Sequence, residues 1–207
     1  MSISPEGGAV PRQAYHSVKN QELFIEHRFL EPELCAWLRE EVDHAPLKAA
    51  AVNRGDRGGR TTDVKSRKTK RADVSAEAMA EMGGRLDTLM PRLVGHFGPP
   101  LTEYQPPHFL RYDEGHFFGP HEDTGPEPDL PEKIRLRRVS AVVFLNAHDD
   151  YDGGVLRFLD PRIEIRGEEG LLVAFPATRR HEVTAVTRGR RYSLVSWFTA
   201  SEGASAV

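Results

Sequence analysis

The chain is 207 residues long, 39% hydrophobic and 29% charged, with a net charge of −3 and one cysteine. This balance fits one soluble globular domain with a full core, and the near-neutral charge excludes bulk attraction to nucleic acid or an anionic membrane. Lone Cys35 excludes an internal disulfide framework and fits a reducing compartment. No apolar run approaches about 18 residues, and the first residues lack a charged stretch ahead of a hydrophobic one. Neither a membrane span nor a signal peptide is therefore expected, and a cytoplasmic location is.

Residues 1–19 are polar and rich in glycine and proline, as in a flexible tail, and a single domain is expected over 20–200. Within it, residues 20–100 read as helical support and 105–199 as a β core. Gln21–Phe29 reads as a strand with Leu23, Ile25 and His27 on one face. Pro32 can open a helix, followed at helical spacing by Leu34, Cys35, Leu38 and Val42. Cys35 there reads as a buried small hydrophobe rather than a reactive thiol. Residues 53–73 hold eight basic side chains and no sustained apolar period, which predicts a long loop. Two readings stay open for it: solvated charge, or a lid that captures an acidic or anionic substrate. No aromatic residue interleaves the cations, which disfavours nucleic-acid binding. From an N-cap at Ser75, the positions Met79, Met82, Leu86, Leu89, Leu93 and Phe97 predict a long amphipathic helix, with Pro91 as a kink and Gly98-Pro-Pro100 as its end.

Beyond that helix the period becomes strand-like, over His108–Tyr112, Arg138–Leu145, Val155–Phe158, Arg162–Arg166, Leu171–Phe175, Glu182–Val186 and Arg190–Thr199. The fold class is mainly β with flanking helices: a two-sheet barrel or jelly roll, its N-terminal helices packed on one outer sheet and its mouth holding a small ligand. Thr124–Lys133 is too rich in proline for regular structure and is expected to overhang the mouth.

Two imidazoles and one carboxylate offered from one side hold Fe(II) and leave neighbouring positions open. A His-x-Asp pair at a strand end, with a distal His, provides such a set, because residues two apart face the same way. The chain has two such pairs, His121-Glu122-Asp123 and His148-Asp149-Asp150. The second lies in an acidic, glycine-bearing segment that reads as a turn, and is kept as the rival.

The run Tyr112-x-x-Gly115-x-x-Phe118-x-Pro120-His121-x-Asp123 resembles the prolyl-4-hydroxylase-like branch of the Fe(II)/2-oxoglutarate-dependent dioxygenases. Gly153-Gly154-x-Leu156-x-Phe158, Gly170–Pro176, His181, a basic residue ten further on and Trp197 follow in the family's order. Phe118 stands where many members have a second Tyr, and Arg191 where prolyl hydroxylases typically carry Lys. The resemblance implies a double-stranded β-helix of the cupin-like kind, with His121, Asp123 and His181 as the catalytic metal ligands. It further implies that Arg191 grips the far carboxylate of 2-oxoglutarate, with Ser193 on the same strand face adding a hydroxyl. Tyr112 can donate its hydroxyl to the co-substrate, or serve as a packed core residue. His181 and Arg191 frame a short turn, Thr187–Gly189, and are expected on adjoining antiparallel strands, with Arg190 on the outer face.

The activity implied consumes O2 and 2-oxoglutarate, releases succinate and CO2, and hydroxylates an unactivated carbon; ascorbate is a further candidate cofactor. Three classes of function follow, in order of support. They are a hydroxylase of prolyl or other side chains in a peptide or protein, a hydroxylase of a free amino acid or small metabolite, and a non-catalytic iron or oxoacid binding module. A zinc hydrolase is disfavoured, since HExxH is absent. His16, His27, His44 and His96 read as structural or exposed, and His116 as a neighbour of the site rather than a ligand.

Overall fold

The helical and strand periods separate in space as they do along the chain, in a computed structural model that describes residues 23–50, 52–54, 59–61, 66–98, 100–125 and 130–200. The first half contains β1 (Phe24–Glu26), α1 (Pro32–His44), β2 (Leu47–Ala49), β3 (Val52–Arg54), β4 (Gly59–Thr61), β5 (Arg67–Lys68), β6 (Lys70–Ala72) and α2 (Ala76–Phe97). Next come β7 (Glu103–Tyr104), β8 (His108–Tyr112), β9 (Phe117–His121), the short α3 (Glu132–Arg135) and β10 (Arg137–Phe144). After a 3-10 turn at His148–Asp150 follow β11 (Tyr151–Gly153), β12 (Leu156–Leu159), β13 (Arg162–Ile165), β14 (Leu172–Pro176), β15 (His181–Val183), β16 (Val186–Gly189) and β17 (Arg191–Thr199).

Two antiparallel sheets dominate. The larger runs β1-β14-β10-β17-β8-β6-β2 with β7 also on β17, and the smaller runs β13-β12-β15-β9-β5. The large sheet separates two apolar cores. On its outer face Phe109, Val143, Leu172, Leu194 and Phe198 meet Cys35, Leu38 and Val42 of α1 and Met82, Leu86, Leu89 and Leu93 of α2. On its inner face Leu110, Tyr112, Phe144, Phe175 and Trp197 meet Leu156, Phe158 and Val183 of the small sheet. Each fully buried Leu contributes about 1.5–3 kcal/mol, so the helices bind firmly to the scaffold without contacting the inner core. This is the expected double-stranded β-helix with helices on one outer sheet.

Ser75 caps α2, its Oγ accepting from Ala78 N at 3.2 Å, and Gly98 ends the helix with φ of 84°. Pro91 lies inside the helix. Of the expected strand at residues 21–29, Phe24–Glu26 forms a strand paired with β14 and the chain turns after Glu26, while residues 21 and 22 lie outside the described residues. The tail at 1–19 lies outside the described residues.

Two expectations are corrected. Residues 53–73 do not form one long loop: β3 pairs with β4, β5 adds to β9, and β6 inserts between β2 and β8. Backbone pairing holds these short strands, and their charged side chains carry no apolar period by which to read them. Likewise, His181 and Arg191 are not on adjoining strands. The stretch read as Glu182–Val186 breaks after Val183, and Val186–Gly189 is a strand on β11, not a turn. His181 thus lies in the small sheet and Arg191 in the large one, facing each other across the interior. Gly153 permits the break: its φ is 73°, and a Cβ there would stand 2.0 Å from Ala185 O.

Candidate active site

The interior between the sheets opens into a cavity of about 760 Å³, lined among others by His121, Asp123, His181, Tyr112, Arg191 and Ser193. The six residues expected to hold iron and co-substrate are thus brought together. His121 ends β9 and His181 begins β15, and they are direct cross-strand partners, so both imidazoles share one face. Asp123 follows two residues after His121, its backbone N donating to Ala177 O at 2.9 Å.

Each imidazole is oriented by its own chain. His121 Nδ1 donates to Gly119 O at 2.9 Å and His181 Nδ1 to Arg179 O at 2.8 Å. A carbonyl can only accept, so in the neutral ring the proton is on Nδ1 and the Nε2 lone pair is left for a cation. Both Nε2 atoms point toward Asp123, at 3.8 Å from Oδ1 for His121 and 3.7 Å from Oδ2 for His181. The ligating atoms all lie within 4.8 Å of one another. Burial, aided by His181, pushes His121 down to about 3, which keeps it neutral. Burial opposes ionisation of Asp123, but nearby positive charge, from the imidazoles of His181 and His121 when protonated and from Arg137, together with the Ser140 hydroxyl, outweighs it and holds the carboxyl below its usual range. Two imidazoles and one carboxylate on one side form the donor set that suits Fe(II).

The rival pair is not brought to the centre. His148 and Asp149 sit on the exposed 3-10 turn and pair with each other at 3.0 Å. Glu122 is exposed, as its alternate position requires. His116 is buried but is not among the grouped ligands.

Arg191 and Tyr112 are cross-strand partners between β17 and β8. Arg191 is 1% exposed and donates to Ser193 Oγ at 2.7 Å, a neutral partner. Its Nε has no hydrogen-bond partner, and no carboxylate of the described residues forms an ion pair with it. Its Cζ lies 5.0 Å from the Tyr112 ring and 4.8 Å from the Phe144 ring. A buried guanidinium with a vacant donor on a cavity wall fits the distal carboxylate of a dicarboxylic acid. Gly154 makes room for it, since a Cβ there would stand 2.9 Å from Arg191 Cδ.

Three further residues, Ser140, Arg137 and Arg67, join the site without having been singled out by the sequence, and Phe118 of the motif joins them. Ser140 Oγ donates to Asp123 Oδ2 at 2.7 Å; the signal was a hydroxyl on the inward alternation of Val142 and Phe144. Arg137 donates to Asp123 O at 3.1 Å and to Gln105 Oε1 at 2.7 Å, with its Cζ 3.8 Å from the Trp197 ring. A register shift between Arg137 and Val139 moves it off the simple alternation of β10. Burial holds its guanidinium down to about 10. Phe118 stacks on His121 with centroids 3.4 Å apart, and Arg67 lies over Phe118.

Residues 107–199 match the 2OG-Fe(II) oxygenase superfamily. A PKHD-type hydroxylase of Cupriavidus pinatubonensis is 33% identical over 180 residues, 84% of this chain and 77% of that protein. One from Paracoccus denitrificans is 32% identical over 173 residues, 81% of this chain and 74% of that protein. Among solved structures, a Pseudomonas putida prolyl-4-hydroxylase superposes with a TM-score of 0.70 at 24% identity, covering 89% of this chain and 95% of that one. A Trichoplax adhaerens prolyl hydroxylase, in complex with a hypoxia inducible factor peptide fragment, gives 0.70 at 18% identity, covering 88% and 85%. These two likenesses establish the fold. The family is one of enzymes that use Fe(II), 2-oxoglutarate and O2, which sets aside the reading as a non-catalytic binding module. By that sequence kinship the chain belongs to the 2OG-Fe(II) oxygenase superfamily, as a hydroxylase of the PKHD type.

Proposed function

We propose that the protein hydroxylates an unactivated carbon of a prolyl or other side chain within a peptide or protein. The observation that carries this reading is the pairing, in one cavity, of three converging ligand atoms with a buried Arg191 that has no carboxylate partner among the described residues. In it, His121 Nε2, Asp123 and His181 Nε2 hold iron. Arg191 and Ser193 grip the distal carboxylate of 2-oxoglutarate, and the Tyr112 hydroxyl donates to the same molecule. Bound iron supplies the oxidising chemistry, in which 2-oxoglutarate and O2 yield succinate, CO2 and the oxygen atom inserted into the C–H bond. The chain's own part is to orient and exclude. Ser140 fixes Asp123, the Nδ1 bonds fix both imidazoles, and Phe158 and Phe175 form an apolar wall beside His181.

A peptide substrate is supported by the names of the fold's neighbours, a prolyl-4-hydroxylase and a prolyl hydroxylase with a bound peptide. The cavity wall adds support, since Arg137 and Trp197 offer a cation and an indole beyond what the co-substrate uses. Ascorbate would keep the iron reduced, and a cytoplasmic setting would suit both Fe(II) and the free Cys35 thiol. No helix of the described residues is long and apolar enough to cross a membrane.

The test measures succinate from 2-oxoglutarate with Fe(II) and O2, first alone and then with proline-containing peptides or free amino acids, scoring gain of one oxygen by mass spectrometry. Stimulation by peptides and not by free proline is expected. Stimulation by a free amino acid alone would move the substrate to the small-molecule class.

A further inference from the structure

We propose that the peptide substrate is acidic, its carboxylates held between Arg180 on one wall of the cavity and Lys48 with Arg71 on the other. The proposal rests on the reading that the substrate is a peptide or protein.

The cavity carries more positive charge than the metal set and the co-substrate use. Among the described residues that line it, Asp123 belongs to the metal set and Arg191 to the co-substrate. That leaves Lys48, Arg67, Arg71, Arg137 and Arg180, opposed by Asp73 and Glu122. Asp73 pairs with Lys48 at 3.1 Å, but the two side chains are 67% and 72% exposed, so this pair exchanges readily for another anion. Arginine and lysine donate and never accept, so the wall they form calls for acceptors, and for anionic ones most of all. The chain as a whole has a net charge of −3, so the surplus belongs to the cavity and is not general basicity.

Sheet register places the first group. Across the large sheet, cross-strand partners run from Ser193 on β17 to Leu110 on β8, Arg71 on β6 and Lys48 on β2. Partners share a face, so Arg71 and Lys48 continue the row that starts beside the co-substrate. At about 4.8 Å per strand, Lys48 lies about 14 Å along that row from Ser193, too far for both to serve one small diacid. The row ends there, because β2 is the last strand of the sheet. Two cations directly opposite each other repel, and an anion lying across them relieves the repulsion. Backbone pairing holds Arg71 in this position. Residues 66–72 form a strap from the small sheet, where β5 pairs with β9, to the large one, where β6 pairs with β8. Thr69 within the strap is buried and its Oγ1 donates to Arg111 O at 3.1 Å.

The second group comes from the small sheet. Arg180 immediately precedes the ligand His181, and its backbone O accepts from Leu159 N at 3.1 Å, which ties it to β12. Its side chain is exposed, lines the cavity and makes no hydrogen bond or ion pair among the described residues. A peptide whose target side chain reaches the metal set lies between these two walls, with cations on both sides of it.

The test uses Fe(II)-loaded protein with 2-oxoglutarate and O2 on a pooled library of peptides with a fixed central proline and randomised flanks, read by tandem mass spectrometry for gain of one oxygen. Asp and Glu should be enriched in the hydroxylated fraction about threefold to fivefold at a contacted position, the range of a solvent-exposed ion pair, and the enrichment should fade as NaCl rises from about 50 mM to about 500 mM. In the double variant Lys48→Glu with Arg180→Glu, the preference should turn toward Lys and Arg. Should that variant fail to fold, Lys48→Gln with Arg180→Gln replaces it and should hydroxylate acidic and neutral members alike. Neutral or basic enrichment by the native protein, or an acidic preference that survives the double substitution, would overturn this inference and leave the peptide reading in place. Hydroxylation of no member of the library would overturn the peptide reading, and this inference with it.

Discussion

Arg190 and Arg191 are neighbours in sequence and lie on opposite sides of one sheet. Arg190 is exposed, 3.9 Å from Asp43 and 3.6 Å from Asp113, while Arg191 is 1% exposed on the cavity wall. Arg190 immediately precedes β17 and Arg191 is its first residue, with the two side chains on opposite sides, so a pair of substitutions isolates position from charge. Arg191→Ala should raise the 2-oxoglutarate KM by about thirtyfold or more, since a buried carboxylate would lose its charged partner. Arg191→Lys should recover part of the loss by keeping the charge without the fork. Arg190→Ala should leave the KM unchanged. Succinate formation against 2-oxoglutarate concentration measures all three, and equal small effects at both positions would remove Arg191 from its role.

The choice between the two His-x-Asp pairs is open to direct measurement. His121→Ala, Asp123→Ala and His181→Ala should each abolish Fe(II)-dependent turnover and lower bound metal. His148→Ala and Asp150→Ala should retain most of both, because that turn is exposed and away from the grouped ligands. Ser140→Ala should weaken metal binding about 10- to 100-fold by releasing Asp123, as loss of an outer partner does at metal sites. Iron content after anaerobic loading, read beside succinate formation, distinguishes a lost ligand from a lost substrate.

Arg137 provides a handle on the substrate rather than the co-substrate. Arg137→Met keeps an apolar stem over Trp197 and removes the fork. The KM for a productive peptide should rise about tenfold, with less than about twofold change for 2-oxoglutarate. The reverse pattern would place Arg137 on the co-substrate side.

Cys35 supplies a pH prediction. Burial, with Glu169 nearby, pushes its thiol from 9.0 up to about 12. Above pH 9 the unfolded chain loses this proton and the folded chain keeps it, so stability falls with rising pH by up to about 1.4 kcal/mol per unit, and nothing is lost below pH 9. Alkylation of the native thiol at pH 8.5 should be at least about a hundredfold slower than in urea. In Cys35→Ala the alkaline slope should shrink. Ready labelling of the folded protein would contradict this burial.

Sequence reading succeeded where one physical signal dominated. The large sheet's central strands are buried on both faces, so they read as apolar runs, and α1 and α2 carry clean helical periods, that of α2 bounded by the Ser75 cap and Gly98. His121 and Asp123 were legible because a spacing of two fixes a shared face. The strap at 66–72 was not, since backbone pairing to two sheets leaves no mark on its Arg and Lys side chains. Arg137 was hidden by a register shift, and the break between β15 and β16 by a glycine fit that only the folded chain reveals.

All nine residues of β17 are buried, and they alternate between two duties. Tyr192, Leu194 and Phe198 face the helices, while Val195 and Trp197 belong to the inner core and Arg191 and Ser193 line the cavity. The strand therefore behaves as a reading frame. Substitutions affect one side at a time, but a single inserted or deleted residue would exchange the sides wholesale, driving Arg191 toward the helical core and apolar side chains into the pocket. Among descendants of this chain, β17 should change its letters and never its length.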